Sequence, residues 1–187
     1  MPRILTITLN PALDLATEVA GLTDEGKMRC APPRIDPGGG GVNVSRALAR
    51  LGGSSTALVA LGGRVGAQHG DLLAREGIDI MPLDLEGETR QTFSVTDRST
   101  GSMYRFVMPG PRWGGAMVET ALARVAAAPG PGDLAVLSGS HPPGVPPDFA
   151  RRLAERVAGR GVRLVLDVSG PALEAATQGD GPAAHLL

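Results

Sequence analysis

Four consecutive glycines, Gly38 to Gly41, run straight into Val42-Asn43-Val44-Ser45-Arg46 and an apolar-periodic stretch that ends at Gly52-Gly53. Glycine admits positive φ and leaves no Cβ between main chain and ligand. A helix that starts just after it offers unpaired N–H groups and the positive end of its dipole. Together they suit a polyhydroxylated or anionic small molecule held against backbone. Asn43, in the first turn, adds an amide that donates and accepts at once. The alternative is a flexible linker before an ordinary helix, although a linker normally continues in Ser or Pro. A dinucleotide fingerprint begun at Gly39 puts Val44 where its third glycine belongs, and no G-x-x-x-x-G-K-[ST] occurs.

Asp14 follows the end of the first expected strand, and ligands of parallel α/β sheets gather outside such strand ends. Its carboxylate can accept hydrogen bonds from sugar hydroxyls, or it caps a turn after Asn10-Pro11. Arg90 and Arg105 flank two alternating segments; they are either bidentate phosphate ligands or solvated surface arginines. Ser138-Gly139-Ser140-His141-Pro142-Pro143-Gly144 follows an apolar strand and reads as a ligand wall or a rigid structural turn. His141 invites a general-base role, but no acidic partner is apparent, so it reads as a loop bystander. Asp167 ends another strand. It either helps hold a hydrated Mg²⁺ or makes an Asx-turn with Ser169. There is no C-x-x-C, H-E-x-x-H or G-x-S-x-G.

The elements that must position these residues follow from periodicity and breakers. Strands are predicted over Arg3–Leu9, Leu15–Ala20, Met28–Ile35, Ser55–Leu61, Ile78–Leu83, Leu134–Leu137 and Val162–Leu166. Helices are predicted over Val42–Leu51, Gly66–Arg75, Gly115–Ala128, Pro147–Arg160 and Pro171–Thr177. Gln91–Asp97 and Met103–Met108 form a hairpin around Ser99-Thr100-Gly101. Strand–helix–strand alternation gives an α/β fold with a doubly wound, mostly parallel sheet. The polar-faced segments at about 15–35 and 91–108 form a small antiparallel sheet, a candidate lid on a single domain over 1–187. Ala183 to Leu187 look like the start of another strand with nothing after it, as in a sequence cut short.

Bulk properties narrow the classes. The chain has 187 residues, 42% of them hydrophobic and 20% charged, with net charge −1. Such balance argues against nucleic acid, which is bound chiefly through phosphate neutralisation. The single cysteine, Cys30, excludes an internal disulfide and suits a reducing cytoplasm. No apolar run reaches membrane-spanning length, and no signal-peptide pattern opens the chain. Lys27 is the only lysine beside many arginines.

These residues together resemble the PfkB/ribokinase family of carbohydrate kinases, from Thr6-Ile7-Thr8-Leu9-Asn10-Pro11-Ala12-Leu13-Asp14 to the last residue. The strongest block is Gly38–Gly53, the family's first signature. Gly62-Gly63-x-x-Gly66, Ser138-Gly139-Ser140 and Pro142-Pro143-Gly144 add to it. The chain is similar to the N-terminal part of such a kinase. Glu25-Gly26-Lys27-Met28-Arg29-Cys30, Thr89-Arg90-Gln91 and Tyr104-Arg105-Phe106-Val107-Met108-Pro109-Gly110 resemble the 6-phosphofructokinase branch. A lysine usually occupies the place of Gly40 in 1-phosphofructokinases and ribokinases. 1-Phosphofructokinase and tagatose-6-phosphate kinase are the neighbouring alternatives, and a non-catalytic sugar-phosphate-binding fragment is the alternative of another class.

The resemblance implies ATP-dependent phosphorylation of fructose 6-phosphate to fructose 1,6-bisphosphate, with ATP and Mg²⁺. It implies a substrate held by Asp14, Gly39, Gly40, Gly41, Asn43, Arg90, Arg105 and Ser140. Arg90 and Arg105 would meet the phosphate, and Asp14 and Asn43 the sugar hydroxyls. Lys27 and Arg29 would lie on the lid of a homodimer, reaching towards the neighbour's site or a regulatory nucleotide. Asp167 would contribute indirectly to the magnesium-nucleotide environment. The family's G-A-G-D motif, which carries the general base, is absent from the sequence. The resemblance therefore implies a base beyond Leu187 and a chain that is inactive alone.

Overall fold

The computed structural model describes residues 3–178, so the expected strand start at Ala183 to Leu187 lies outside the described residues. The chain runs β1 (Ile4–Thr8), β2 (Ala12–Val19), β3 (Arg34–Gly38), α1 (Gly40–Arg50), β4 (Thr56–Leu61), α2 (Gly63–Arg75) and β5 (Asp79–Asp84). It continues through β6 (Arg90–Asp97), β7 (Met103–Val107), α3 (Gly115–Ala127), β8 (Leu134–Ser138), α4 (Phe149–Val157), β9 (Arg163–Asp167) and α5 (Pro171–Thr177).

The main sheet has five strands in the order β5-β4-β1-β8-β9, and every pairing is parallel. Both faces are covered, which is why its strands read as nearly continuous apolar runs. On β1, Leu5 and Ile7 point into the larger core with Leu122, Phe149, Leu153 and Leu166. The alternate residues Thr6 and Thr8 are also buried, but they face α1. Thr6 Oγ1 and Ser45 Oγ share a hydrogen bond of 2.7 Å, and the Val42 N–H donates to Thr8 Oγ1 at 3.0 Å. Val42, Val59 and Leu73 form the smaller core beneath α1 and α2.

The second sheet has the order β3-β2-β6-β7. Its outer pairs are antiparallel, while the central pair β2–β6 is parallel. Periodicity anticipated the antiparallel pairs but not the central one. Both β2 and β6 leave the carboxyl edge of the main sheet, β2 after β1 and β6 after β5, so they must run in the same direction. Only part of the expected Met28–Ile35 strand forms; pairing begins at Arg34, because Pro32 and Pro33 have no N–H for a ladder. α1 begins two residues before Val42 and takes Gly40 and Gly41 into its first turn. Among the described residues, no helix is long and apolar enough to cross a membrane.

Candidate functional site

One cleft of about 490 Å³ lies between the small sheet and α1, lined in part by Asp14, Gly39, Arg46, Arg90 and Arg105. Its floor follows from strand register. Asp36, Asp14, Thr92 and Val107 form one cross-strand row, and Arg34, Ala16, Ser94 and Arg105 form the next. Side chains alternate faces along a strand, so these rows share one face. The residues between them point the other way: Ile35, Leu15, Phe93 and Phe106 form an apolar row on the outer face. Phe106 is 54% exposed there.

Arg90 is no free surface arginine. Its guanidinium is half-buried and donates to the carbonyls of Asn10 at 3.1 Å, Pro11 at 3.4 Å and Met108 at 3.4 Å. Arg105 is exposed at the far edge of the floor. Burial raises the Asp14 pKa above the ordinary 3.8, against the opposing pull of the Thr92 hydroxyl and the Arg105 and Arg90 charges. The carboxylate thus sits half-buried within reach of two cationic fields, an environment that rewards further hydrogen-bond donors.

The glycine run has a packing reason that spacing alone did not reveal. A Cβ on Gly38 would overlap the Asp14 carboxylate. A Cβ on Gly39 would lie 2.6 Å from Thr8 Cγ2, and its φ of 132° is one that side chains rarely adopt. Gly40 would collide with Ser138 and Gly139, and Gly41 with the Ile7 carbonyl. The run lets α1 start directly against the ends of β1 and β8. The N–H groups of Gly40 and Gly41 have no intrahelical acceptor, while the Asn43 N–H donates to Gly39 O at 2.8 Å.

Asp14, Gly39, Arg90 and Arg105 therefore share one cleft. Asn43 is exposed on the first turn of α1 and does not line it. Ser140 lines a neighbouring hollow at the ends of β8 and β9, with His141 and Ser169. Asn10 joins the two, donating from Nδ2 to Ser140 Oγ at 3.1 Å while its carbonyl receives Arg90. Lys27 and Arg29 are exposed on the connection between β2 and β3. Asp167 is exposed and accepts from Ser138 Oγ at 2.6 Å. Among the described residues, no group of three or more His, Cys, Asp or Glu is arranged to hold a metal ion. His141 packs edge-on against Phe149, and burial lowers its pKa.

Three residues of the site escaped sequence reasoning. Arg46 donates to Glu76 at 2.7 Å, to Asp36 at 3.4 Å and to the Pro37 carbonyl at 3.2 Å, tying α1 to the end of β3. It stands one helical turn after Asn43, a spacing that could have signalled it. Asn10 read only as a turn residue. His69, fully buried in α2, carried no sequence signal.

The profile of the pfkB family carbohydrate kinases matches residues 7–185. The ATP-dependent 6-phosphofructokinase isozyme 2 of Mycobacterium tuberculosis is 42% identical over 178 residues, which cover 95% of this chain and 52% of that protein. The isozyme 2 of Escherichia coli K12 is 41% identical over 94% of this chain and 57% of its own length. The 1-phosphofructokinase of Rhodobacter capsulatus is 35% identical over 91% of this chain and 54% of its own length. The crystal structure of phosphofructokinase-2 from E. coli in complex with fructose-6-phosphate matches with a TM-score of 0.88 and 41% identity, over 94% of this chain and 58% of that one. A tetrameric inhibited form of the same E. coli enzyme matches at 0.87 and 40% identity, over 94% of this chain and 57% of that one. The chain spans about half the length of the curated relatives it matches. With the family profile running over nearly every residue on a fold shared with solved phosphofructokinases, the chain belongs to the pfkB family of carbohydrate kinases.

Proposed function

We propose that the cleft binds fructose 6-phosphate, and that the whole protein transfers a phosphoryl group to it from ATP to give fructose 1,6-bisphosphate. The observation that carries this reading is the floor itself: a half-buried carboxylate, Asp14, between Arg90 and Arg105 in one cleft beside an open helix start. Arg90 and Arg105 hold the phosphate, since guanidinium forks match its oxygens. Asp14 accepts from the sugar hydroxyls. Gly39, Gly40 and Gly41 bring backbone N–H groups to the ligand, with Asn43 on the same first turn of α1. Ser140 reaches the site through Asn10. The resemblance of relatives named 6-phosphofructokinase supports this ketose phosphate, and the R. capsulatus relative keeps fructose 1-phosphate as the second reading.

The small sheet acts as the lid, and a second copy of the chain covers its apolar outer row. Lys27 and Arg29, on the connection beside that sheet, then lie near the neighbour's cleft or a regulatory nucleotide. The reading places the protein in the cytoplasm with its substrates. Phosphoryl transfer also needs charge neutralisation of the nucleotide, usually by Mg²⁺. The described residues supply only Asp167 towards it, already engaged by Ser138, so they do not by themselves fit a metal site.

Among the described residues, none is a ready general base. Asp14 is committed to the hydroxyls and lies between cations. The 187 residues alone therefore bind the sugar phosphate without turning it over. Titration calorimetry with fructose 6-phosphate, fructose 1-phosphate and tagatose 6-phosphate tests the binding. Absence of heat with all three at millimolar ligand removes it. An ADP-release assay with MgATP tests the inactivity, and sugar-dependent turnover near ~1 s⁻¹ would overturn it.

A further inference from the structure

We propose that His69 is a positioning residue for this cleft: from inside the molecule it fixes the Gly38 carbonyl and, through it, the glycine run and Asp14. The inference rests on the ligand reading above only for its functional consequence. His69 is wholly buried in α2, with Nε2 3.0 Å from Gly38 O. A carbonyl oxygen only accepts, so Nε2 carries the proton and donates. That leaves Nδ1 as a buried acceptor without a partner. A leucine would fill such a place in a core without the unpaired ring nitrogen, which is costly, but it would also remove the donor to Gly38 O. The histidine is worth that cost only if its one hydrogen bond holds something that matters.

What it holds is the end of β3. The Gly38 main chain touches the Asp14 carboxylate closely enough that no Cβ fits between them. Arg46 anchors the preceding carbonyl, Pro37 O, from α1. Two consecutive carbonyls are thus held by side chains from two helices, just before Gly39 turns the chain into α1.

The N-terminal turn of α2 grips the segment that leads into β6. Gly62 N–H donates to Thr89 Oγ1 at 3.0 Å, and Thr89 N–H returns to Gly62 O at 2.9 Å. The Glu88 carboxylate accepts from the N–H groups of Arg64 at 3.2 Å and Val65 at 3.0 Å. Thr89 immediately precedes Arg90. The first half of α2 therefore links the segment just before Arg90 to the glycine run, and His69, at mid-helix, makes the contact to the glycine run. Asp14 and Arg46 are the charged groups whose fields reach the ring, and burial keeps it neutral.

The test compares His69→Leu, which fills the volume without a donor, with His69→Gln, which restores an N–H at about the same reach. Three properties of the full chain are read: thermal unfolding, amide hydrogen exchange over residues 38–43, and calorimetric affinity for fructose 6-phosphate. In His69→Leu, exchange over 38–43 accelerates and the affinity falls roughly three- to tenfold, the range a net hydrogen bond supports, while Tm holds or rises. His69→Gln recovers both. Unchanged exchange in His69→Leu overturns the proposal. So does a fall in Tm with exchange and affinity that His69→Gln does not rescue, which would mark a structural role only. If the unsubstituted chain gives no heat, the ligand reading falls and exchange alone decides the positioning role. If it binds and His69→Leu binds equally well, the ligand reading stands and this proposal falls. Should His69→Leu fail to fold, His69→Asn, too short to reach Gly38, is compared with His69→Gln instead.

Discussion

Replacing Gly40 by alanine separates two explanations of the glycine run by the sign of the effect. Gly40 opens α1. Alanine is the better helix former, by at most about 1 kcal/mol. If the glycine serves only ligand approach, Gly40→Ala raises stability. The structure argues the opposite. The added Cβ would lie 2.5 Å from the Ser138 carbonyl carbon and 2.6 Å from Gly139 N, both main-chain atoms. Restoring an ordinary contact of 3.4 Å needs a shift of 3.4 − 2.5 = 0.9 Å between α1 and the end of β8. Neither side is free to move, because Val42 is tied to Thr8 and β8 is paired on both edges. Overpacking of this kind costs about 1–3 kcal/mol. After subtracting the propensity gain, the net loss is about 0–2 kcal/mol. At about 2–4 °C per kcal/mol for a chain of this size, Tm falls by up to about 8 °C. Gly115→Ala at the start of α3 is the control, since its Cβ meets nothing within 4 Å. Thermal unfolding followed by far-UV circular dichroism reads both. A Gly40→Ala protein as stable as the control, or more so, would refute the packing argument.

Arg90→Ala should weaken fructose 6-phosphate binding by the roughly 1.5–3 kcal/mol of a charge-assisted contact, a factor of about ten to a hundred in Kd; an unchanged Kd by calorimetry would leave Arg90 with only its three carbonyl contacts. Asp14→Asn should abolish that binding while leaving Tm at pH 7 equal or higher. The folded-state pKa of Asp14 is raised, so its ionised form opposes folding above that pKa and the opposition fades as pH falls; a Tm loss of several degrees would contradict this. Asp133 behaves in reverse. The N–H groups of Gly130 and Arg3, then the Arg3 side chain, lower its pKa from 3.8 to about 2. Its contribution is fully present above the unfolded value and disappears as pH falls from about 4 towards 2. An acid-unfolding curve of Asp133→Asn should therefore lie below the original above pH 4 and converge with it near pH 2.

Much of the scaffold was legible because local rules and tertiary demands agree. The apolar runs of β1, β4 and β8 are buried on both faces, so composition alone marked them as parallel strands. The alternation of β6 and β7 announced a hairpin, and the stop at Gly52-Gly53 marked the end of α1. The glycine run, Asp14, Arg90 and Arg105 were visible as residue types, but Asp14, expected past the end of a strand, lies within β2, and Arg105 lies within β7 rather than flanking it. What sequence could not supply was which of them meet. The parallel pairing of β2 with β6 puts Asp14 beside Thr92, a contact between residues far apart in the chain that depends on both strands leaving the same sheet edge. Register, with its period of two, then decided that Asp14 and Arg105 face the cleft while Phe93 and Phe106 face away. Ser140 and Asn43, grouped with the others by sequence, lie beside the cleft rather than in it. His69 and Arg46 gained their places only when α2 and α1 packed against the end of β3, because a hydrogen bond to a backbone carbonyl leaves no trace in the identity of the residue that offers it.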